Sequence, residues 1–145
     1  MIYLLDSNVY IDSFNDPVFG AGFRAFHREH LPRIVLSAVV VFELLVGART
    51  PRKVRQLRRG LVEPFAVRRR LHVPTRSTWE KAAEVDRRLR HRGGLEASLA
   101  RRSFAHDLLL AVTAREIGAT IITRDLRHFL PLCELLRVRA AAPWP

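Results

Sequence analysis

The chain has 145 residues, of which 48% are hydrophobic and 27% are charged. This balance excludes an intrinsically disordered protein and predicts one domain over residues 1–145 with a sizeable core. The single cysteine, Cys133, excludes an internal disulfide and a cysteine-based zinc site, and it favours a reducing compartment such as the cytoplasm. The formal net charge of +11 favours a polyanionic partner such as nucleic acid, although a coding bias towards Arg would produce a similar surface.

Nothing in the sequence predicts a signal peptide or a membrane anchor. Met1–Leu5 leads directly into Asp6 without the basic leader of a secretory signal. The most apolar stretch, Ile34–Ala48, is interrupted by Ser37 and Glu43, so it does not resemble a membrane span. We therefore expect a protein that acts in the cytoplasm and away from membranes.

Strands and helices alternate along the predicted chain, and the strands are short, apolar runs. In the first half we predict a strand at Ile2–Leu5, a helix from Val9 to about Phe14, a helix around Phe23 and Phe26 that ends before Pro32, a strand at Arg33–Ser37, a helix at Ala38–Ala48 and a basic helix that begins at Pro51. In the second half we predict a strand at Phe65–Val73, a helix that begins at the capping box Ser77-x-x-Glu80 and ends at Gly93-Gly94, a connector with a short helical tendency at Leu95–Arg102, a central helix with Asp107 in its first turn, a strand at Ala119–Thr123 and a short strand at Leu135–Arg139. This alternation predicts a three-layer α/β/α sandwich around a parallel sheet.

Four acidic residues follow predicted strands or lie early in the helices after them: Asp6, Glu43, Asp107 and Asp125. Because ligands of open α/β sheets bind at the carboxyl ends of the strands, we expect these acids to lie at one edge. Three of them have simpler interpretations as turn residues, helix caps or charges that suit a helix N-terminus. Glu43 is harder to explain in this way, because its neighbours are apolar. An ionised carboxylate there is costly unless it is paired, and the partner could be an arginine or a metal ion.

The acids are most informative as a group. Carboxylates about 4–6 Å apart repel by roughly 1–4 kcal/mol per pair, so a cluster needs a cation or must take up a proton. Oxygen-only ligands favour Mg²⁺ or Mn²⁺ over zinc. Such an ion beside a basic surface suits the hydrolysis of phosphodiester bonds.

Four segments together resemble the acidic motifs of the PIN domain, most closely those of VapC-type toxins of bacterial toxin–antitoxin pairs. They are Leu5-Asp6-Ser7-Asn8, Ser37-Ala38-x5-Glu43-Leu44, His106-Asp107-Leu108-Leu109-Leu110-Ala111 and Ile122-Thr123-Arg124-Asp125. The resemblance implies an Mg²⁺- or Mn²⁺-dependent endoribonuclease, a homodimer, and a cognate antitoxin that occupies the active-site groove. It also implies a metal cluster of Asp6, Glu43, Asp107 and Asp125, with Asn8 and Thr123 as hydrogen-bonding residues behind it.

Two other functions stay open on the residues alone. One is a catalytically inactive module that binds nucleic acid or regulates another protein. The other is a phosphatase with Asp6 as nucleophile, which is disfavoured because Asn8 stands where such enzymes carry a second acid.

Several further side chains have both a functional and a structural interpretation. The basic face with Arg52, Arg55 and Arg59, with Lys53 close by, is either solvated surface or a groove for RNA or an antitoxin. His106 and His128 flank the acids, and we exclude both from the catalytic set because a metal-bound water needs no histidine base. Trp79 and Phe104 could stack on bases, but we expect both to pack in the core.

Overall fold

The computed structural model describes residues 1–94 and 103–144, and its strands form one parallel sheet. The strands are β1 (Ile2–Leu5), β2 (Ile34–Ser37), β3 (Leu71–His72), β4 (Ala119–Ile122) and β5 (Arg139–Ala141). They lie in the order β3-β2-β1-β4-β5, and every neighbouring pair is parallel. The chain moves outward from β1 to β3 and then returns to the other side of β1. This reversal creates a crevice at the carboxyl ends of β1 and β4, where ligands of such sheets bind.

Helices cover both faces of the sheet. They are α1 (Ser7–Asn15), α2 (Pro17–His30), α3 (Ala38–Gly47), α4 (Pro51–Leu57), α5 (Glu63–Val67), α6 (Arg76–Arg92), α7 (Phe104–Ile117) and α8 (Leu126–Leu136). Right-handed crossovers place α1–α5 on one face and α6–α8 on the other. In agreement with this, α1 contacts α2 and α3, whereas α7 contacts α6 and α8. The predicted three-layer α/β/α sandwich is therefore confirmed.

The central helix α7 carries much of the core. Its residues from Asp107 to Ala114 are all buried, so this helix is covered on nearly every side. It ends at Gly118, whose φ of 67° lies in the left-handed region that glycine adopts without strain. The four residues of β4 follow at once and are also buried. This order delivers Asp107 and the end of β4 to the same edge of the sheet.

The predicted strand over Phe65–Val73 was wrong for most of its length. Phe65 belongs to α5 instead, and only Leu71 and His72 pair with β2. The chain turns between the two at Arg69, which has a φ of 55°. A short apolar run does not distinguish a buried strand from a buried helical turn, and the tertiary contacts of Phe65 decide here.

Two element boundaries also differ from the predictions. Helix α6 begins two residues earlier than predicted, because Thr75 and Thr78 form the capping box instead of Ser77 and Glu80. Each threonine side chain accepts a hydrogen bond from the backbone N–H of the other, at 3.3 and 3.2 Å. Helix α8 continues to Leu136, so the last strand begins only at Arg139. The predicted connector at Leu95–Arg102 lies outside the described residues.

The two aromatic residues that we expected in the core have different positions. Phe104 is buried as predicted, but Trp79 is 54% exposed on α6, so that prediction was wrong. Across residues 1–94 and 103–144, no helix is both long and apolar enough to cross a membrane.

Candidate active site

Asp6 lies at the reversal point of the sheet, directly after β1. Its backbone N–H donates to Ile122 O of β4 at 2.9 Å, which extends the pairing of the two strands. The side chain is only 8% exposed, and both of its oxygens accept hydrogen bonds. Oδ1 accepts from the Ser7 backbone N–H and Oδ2 from the Thr123 hydroxyl, each at 2.8 Å. The carboxylate is therefore held in one orientation at the crevice.

Burial raises the pKa of Asp6 from its ordinary value of 3.8 to about 6. The hydrogen bonds from Thr123 and Ser7 lower this pKa, and the negative charges of Glu43 and Asp125 raise it further. These two carboxylates therefore lie close enough to Asp6 to interact with its charge. At neutral pH the ionised Asp6 side chain is held at an energetic cost that a nearby cation would remove.

Thr123 connects the ends of β1 and β4 through one hydroxyl group. Its Oγ1 accepts from Asn8 Nδ2 at 3.3 Å and from the Asp125 backbone N–H at 3.0 Å. A hydroxyl has two acceptor positions and one proton, so its proton is left for Asp6. The Arg124 backbone N–H in turn donates to Asn8 Oδ1 at 3.2 Å. The two residues expected behind the acids thus form one continuous network with Asp6.

Glu43 contacts a histidine, and no arginine pairs with it among the described residues. Its Oε1 lies 3.0 Å from His106 Nδ1, and the Glu43 and His106 side chains are 19% and 29% exposed. Of the two partners predicted for this carboxylate, the arginine is therefore replaced by a histidine, and the metal ion stays a prediction. His106 was excluded from the catalytic set because a metal-bound water needs no histidine base. Its contact with Glu43 was missed, because the spacing of the two residues along the chain does not show that α3 and α7 bring them together.

The other two acids occupy helix starts at the same edge. Asp107 lies in the first turn of α7 and is 7% exposed, with its backbone N–H bonded to Ser103 O at 3.0 Å. Asp125 immediately precedes α8, and its carboxylate contacts His128 Nδ1. The site thus has a histidine beside two of its acids, Glu43 and Asp125.

The acids share an edge, but they do not form a closed ligand set. Within residues 1–94 and 103–144, no three His, Cys, Asp or Glu side chains are grouped closely enough to hold a metal ion. Like charges repel where no cation lies between them, so separated carboxylates are expected of the chain alone. The donor chemistry, oxygen atoms on carboxylates around a buried Asp6, fits Mg²⁺ or Mn²⁺.

A second feature is an apolar groove on the α1–α5 face, which we name the α1–α5 groove. It encloses about 790 Å³ and is lined by residues of α1, α2, α3, α4 and α5 and of the turns between them. Apolar side chains predominate, among them Phe14, Phe23 and Leu61, whereas Lys53, Arg68 and Arg70 contribute positive charge. Of the basic residues noted in the sequence around Pro51, Lys53 lies at this groove and Arg52, Arg55 and Arg59 are exposed.

The fold and the acidic edge define a class of protein. The family model of the PIN domain matches residues 3–131. The chain therefore belongs to the PIN domain family.

Solved structures of similar fold cover nearly the whole chain. DNA-bound VapBC from Salmonella typhimurium has a TM-score of 0.71 at 20% identity, with 98% of each chain covered. FitAB bound to the IR36 DNA fragment has a TM-score of 0.69 at 22% identity, with 99% of this chain and 96% of that chain covered. FitAcB from Neisseria gonorrhoeae has a TM-score of 0.66 at 22% identity, with 99% of both chains covered. The TM-scores demonstrate a shared fold, and at these identities they demonstrate the fold alone. No curated protein sequence matches significantly.

Proposed function

We propose that this chain is a divalent-metal-dependent endoribonuclease and acts as the toxin of a type II toxin–antitoxin system. The observation that carries the proposal is the buried Asp6 at the reversal point of the sheet, with its pKa raised to about 6 by burial and by neighbouring carboxylates. Membership of the PIN domain family and a net charge of +11 support a nuclease that acts on RNA. The whole chain would work as one unit in the cytoplasm.

Asp6 and Asp107 are the proposed direct ligands of Mg²⁺ or Mn²⁺, and Glu43 and Asp125 either bind the ion or orient water. The bound ion would supply a water of lowered pKa and stabilise the charge that develops on the leaving oxygen. Above its pKa of about 6, Asp6 is ionised and able to bind a cation. The network through Thr123 and Asn8 keeps that carboxylate aimed at the crevice.

RNA cleavage by the purified chain in the presence of Mg²⁺ or Mn²⁺ tests the proposal. Asp6→Asn and Asp107→Asn should each abolish cleavage, and EDTA should do the same. Asp86→Asn is the matched control, because Asp86 is a carboxylate on α6 that pairs with Arg90. Cleavage that survives EDTA and both active-site variants would come from a contaminating nuclease, and the proposal would fail.

The proposed partner is a cognate antitoxin. The names VapBC and FitAB in the similar structures, and their binding to DNA, support this partner for the present chain. The α1–α5 groove supports it as well, since an apolar groove with basic residues suits an amphipathic segment that carries acids. Co-purification of the chain with the product of a neighbouring short gene tests the pairing.

We also propose that the chain forms a homodimer. Phe42 and Val46 on α3 are 57% and 68% exposed, and such exposed apolar side chains favour a protein interface. Light scattering during gel filtration should give twice the mass of one chain. A mass of one chain at all concentrations would contradict the dimer and leave the nuclease proposal standing.

A second function is a nucleic-acid-binding module without catalysis. The observation that favours it is the net charge of +11, which promotes binding to a polyanion with or without a metal ion. This module would bind RNA with a steep salt dependence and without any effect of divalent ions. RNA binding that is retained in EDTA, together with no cleavage under any condition, would select it.

A further inference from the structure

His106 and Glu43 come from different helices and meet at the acidic edge. The two residues are 63 positions apart, yet His106 Nδ1 lies 3.0 Å from Glu43 Oε1. The ring of Phe42, which precedes Glu43 on α3, packs edge-on against the His106 ring with 5.5 Å between centroids. The imidazole is therefore held on one side by an aromatic ring and on the other by a carboxylate.

This contact restrains a side chain that is otherwise mobile. A glutamate that is fixed in one conformation loses rotamer entropy, so it needs a partner to remain in place. The ring N–H bond engages Oε1 and leaves Oε2 free of that bond. Because His106 directly precedes Asp107, the same turn of α7 would supply one acid of the site and the residue that orients another.

We propose that His106 is a positioning residue that holds Glu43 through Oε1, so that Oε2 is presented to the divalent ion or its bound water. The presentation of Oε2 to the ion rests on the proposed function, whereas the contact that orients Glu43 does not. Residues that hydrogen-bond a metal-binding side chain typically account for about 10–100-fold of metal affinity or activity. A purely structural His106 would instead join α3 to α7 without affecting the ion.

Two substitutions separate the positioning role from the structural one. His106→Asn keeps an N–H donor where Nδ1 lies, and His106→Leu keeps comparable bulk without any donor. Mn²⁺ binding, followed by the electron paramagnetic resonance signal of the free ion, gives a readout that does not require catalysis. We expect His106→Leu to weaken Mn²⁺ binding and lower kcat by about 10-fold each, with KM for an RNA oligonucleotide unchanged. His106→Asn should restore both quantities to within about threefold of the native chain.

His106→Gln is a further variant, since its amide nitrogen reaches the position of Nε2 and not that of Nδ1. Its Mn²⁺ binding and kcat should resemble those of His106→Leu. Thermal melts of all three variants check that each is folded. His30 provides the matched control: its Nε2 lies 3.7 Å from Glu29 Oε1, and its ring packs against Tyr3 of β1. His30→Leu should leave Mn²⁺ binding unchanged.

Equal Mn²⁺ binding by the native chain and by His106→Leu would overturn the positioning role. Equal losses in His106→Asn and His106→Leu would do so as well, because the donor at Nδ1 would then be irrelevant. Mn²⁺ binding that follows the expected pattern in a chain that cleaves no RNA would retain the positioning role and reject the ribonuclease. A native chain that binds no Mn²⁺ at all would overturn both.

Discussion

The acidic edge and the α1–α5 groove differ in how completely their polar groups are satisfied. At the acidic edge, Asp6, Thr123 and Asn8 are joined by hydrogen bonds of 2.8 and 3.3 Å and hold one another in place. In the groove wall, Tyr10 Oη and His27 Nε2 are buried and have no hydrogen-bond partner among the described residues. The edge is thus arranged in advance for a small, charged ligand, whereas the groove is wide, apolar and incomplete by itself.

The two regions also carry opposite charge. Negative side chains converge around Asp6, and the groove has Lys53, Arg68 and Arg70 beside its apolar walls. A metal ion and an acidic protein segment would therefore be recognised at separate places on the same chain. This separation suggests that catalysis and inhibition can be changed independently by substitution.

The largest expected effect is a loss of catalysis with binding of the protein partner retained. Asp107→Asn should lower the rate of RNA cleavage by about 100-fold or more, since residues that only support a metal ligand already account for about 10–100-fold. The affinity for the cognate antitoxin, measured by isothermal titration calorimetry, should stay within about threefold. A parallel loss of both properties would show that the two regions are one site.

A substitution in the groove should have the opposite effect: it should weaken partner binding and leave catalysis unchanged. Phe14 lines it and is 56% exposed, so Phe14→Asp should introduce a charge without removing core packing. We expect antitoxin affinity to fall by about 10-fold or more, which corresponds to roughly 1.4 kcal/mol, with RNA cleavage unchanged. Val18→Asp is the matched control, because Val18 is 84% exposed and lies outside the groove lining. Equal antitoxin affinity of Phe14→Asp and Val18→Asp would show that the groove is not part of the antitoxin interface.

A smaller effect is expected from the network behind Asp6. Thr123→Val preserves the shape of the side chain but removes the hydroxyl that donates to Asp6 Oδ2. Cleavage should fall by about 10-fold, and its rise with pH should shift upward because a hydrogen bond that lowers the pKa of Asp6 is lost. Thr123→Ser keeps the donor and should behave like the native chain. A pH–rate profile of the three proteins checks this prediction.

A further effect concerns stability and pH, and it is measured without RNA or a partner. Because the pKa of Asp6 is raised from 3.8 to about 6 in the folded chain, its contribution to stability is fully present below about pH 4 and is lost as the pH rises through 6. The difference corresponds to about 3 kcal/mol. In metal-free buffer, the Tm of Asp6→Asn should therefore rise relative to that of the native chain by several degrees between pH 4 and pH 7. A constant difference in Tm across this range would contradict the raised pKa.

The acidic edge was largely predictable from the sequence, because it depends on local signals. Apolar runs such as Ile2–Leu5 identify strands, and polar residues directly after them must lie at the carboxyl edge of a parallel sheet. The contact between His106 and Glu43 was not predictable in this way, since it depends on how α3 and α7 cross. The prediction of a strand at Phe65 was wrong for a related reason. The apolar side chain of Phe65 belongs to a short helix that packs against the core, and only the tertiary contacts show this.

The groove was the least predictable region. It is formed by five helices, and each contributes a few apolar side chains that would also suit an ordinary core, as Phe23 and Leu61 do. Only the basic residues near Pro51 indicated a surface for a partner, and most of them turned out to be exposed at positions outside the groove lining. Long-range packing, which leaves no periodic signal, determines whether such side chains meet or leave a cavity.

The central claim is that acids from distant parts of the chain hold one divalent ion at the end of β1. Crystals soaked in Mn²⁺ and measured at the manganese absorption edge test this claim most directly. We predict an anomalous peak within coordination distance of Asp6 and of at least one carboxylate among Glu43, Asp107 and Asp125. Mn²⁺ found only at other surfaces, with the crevice beside Asp6 lacking a peak, would contradict it.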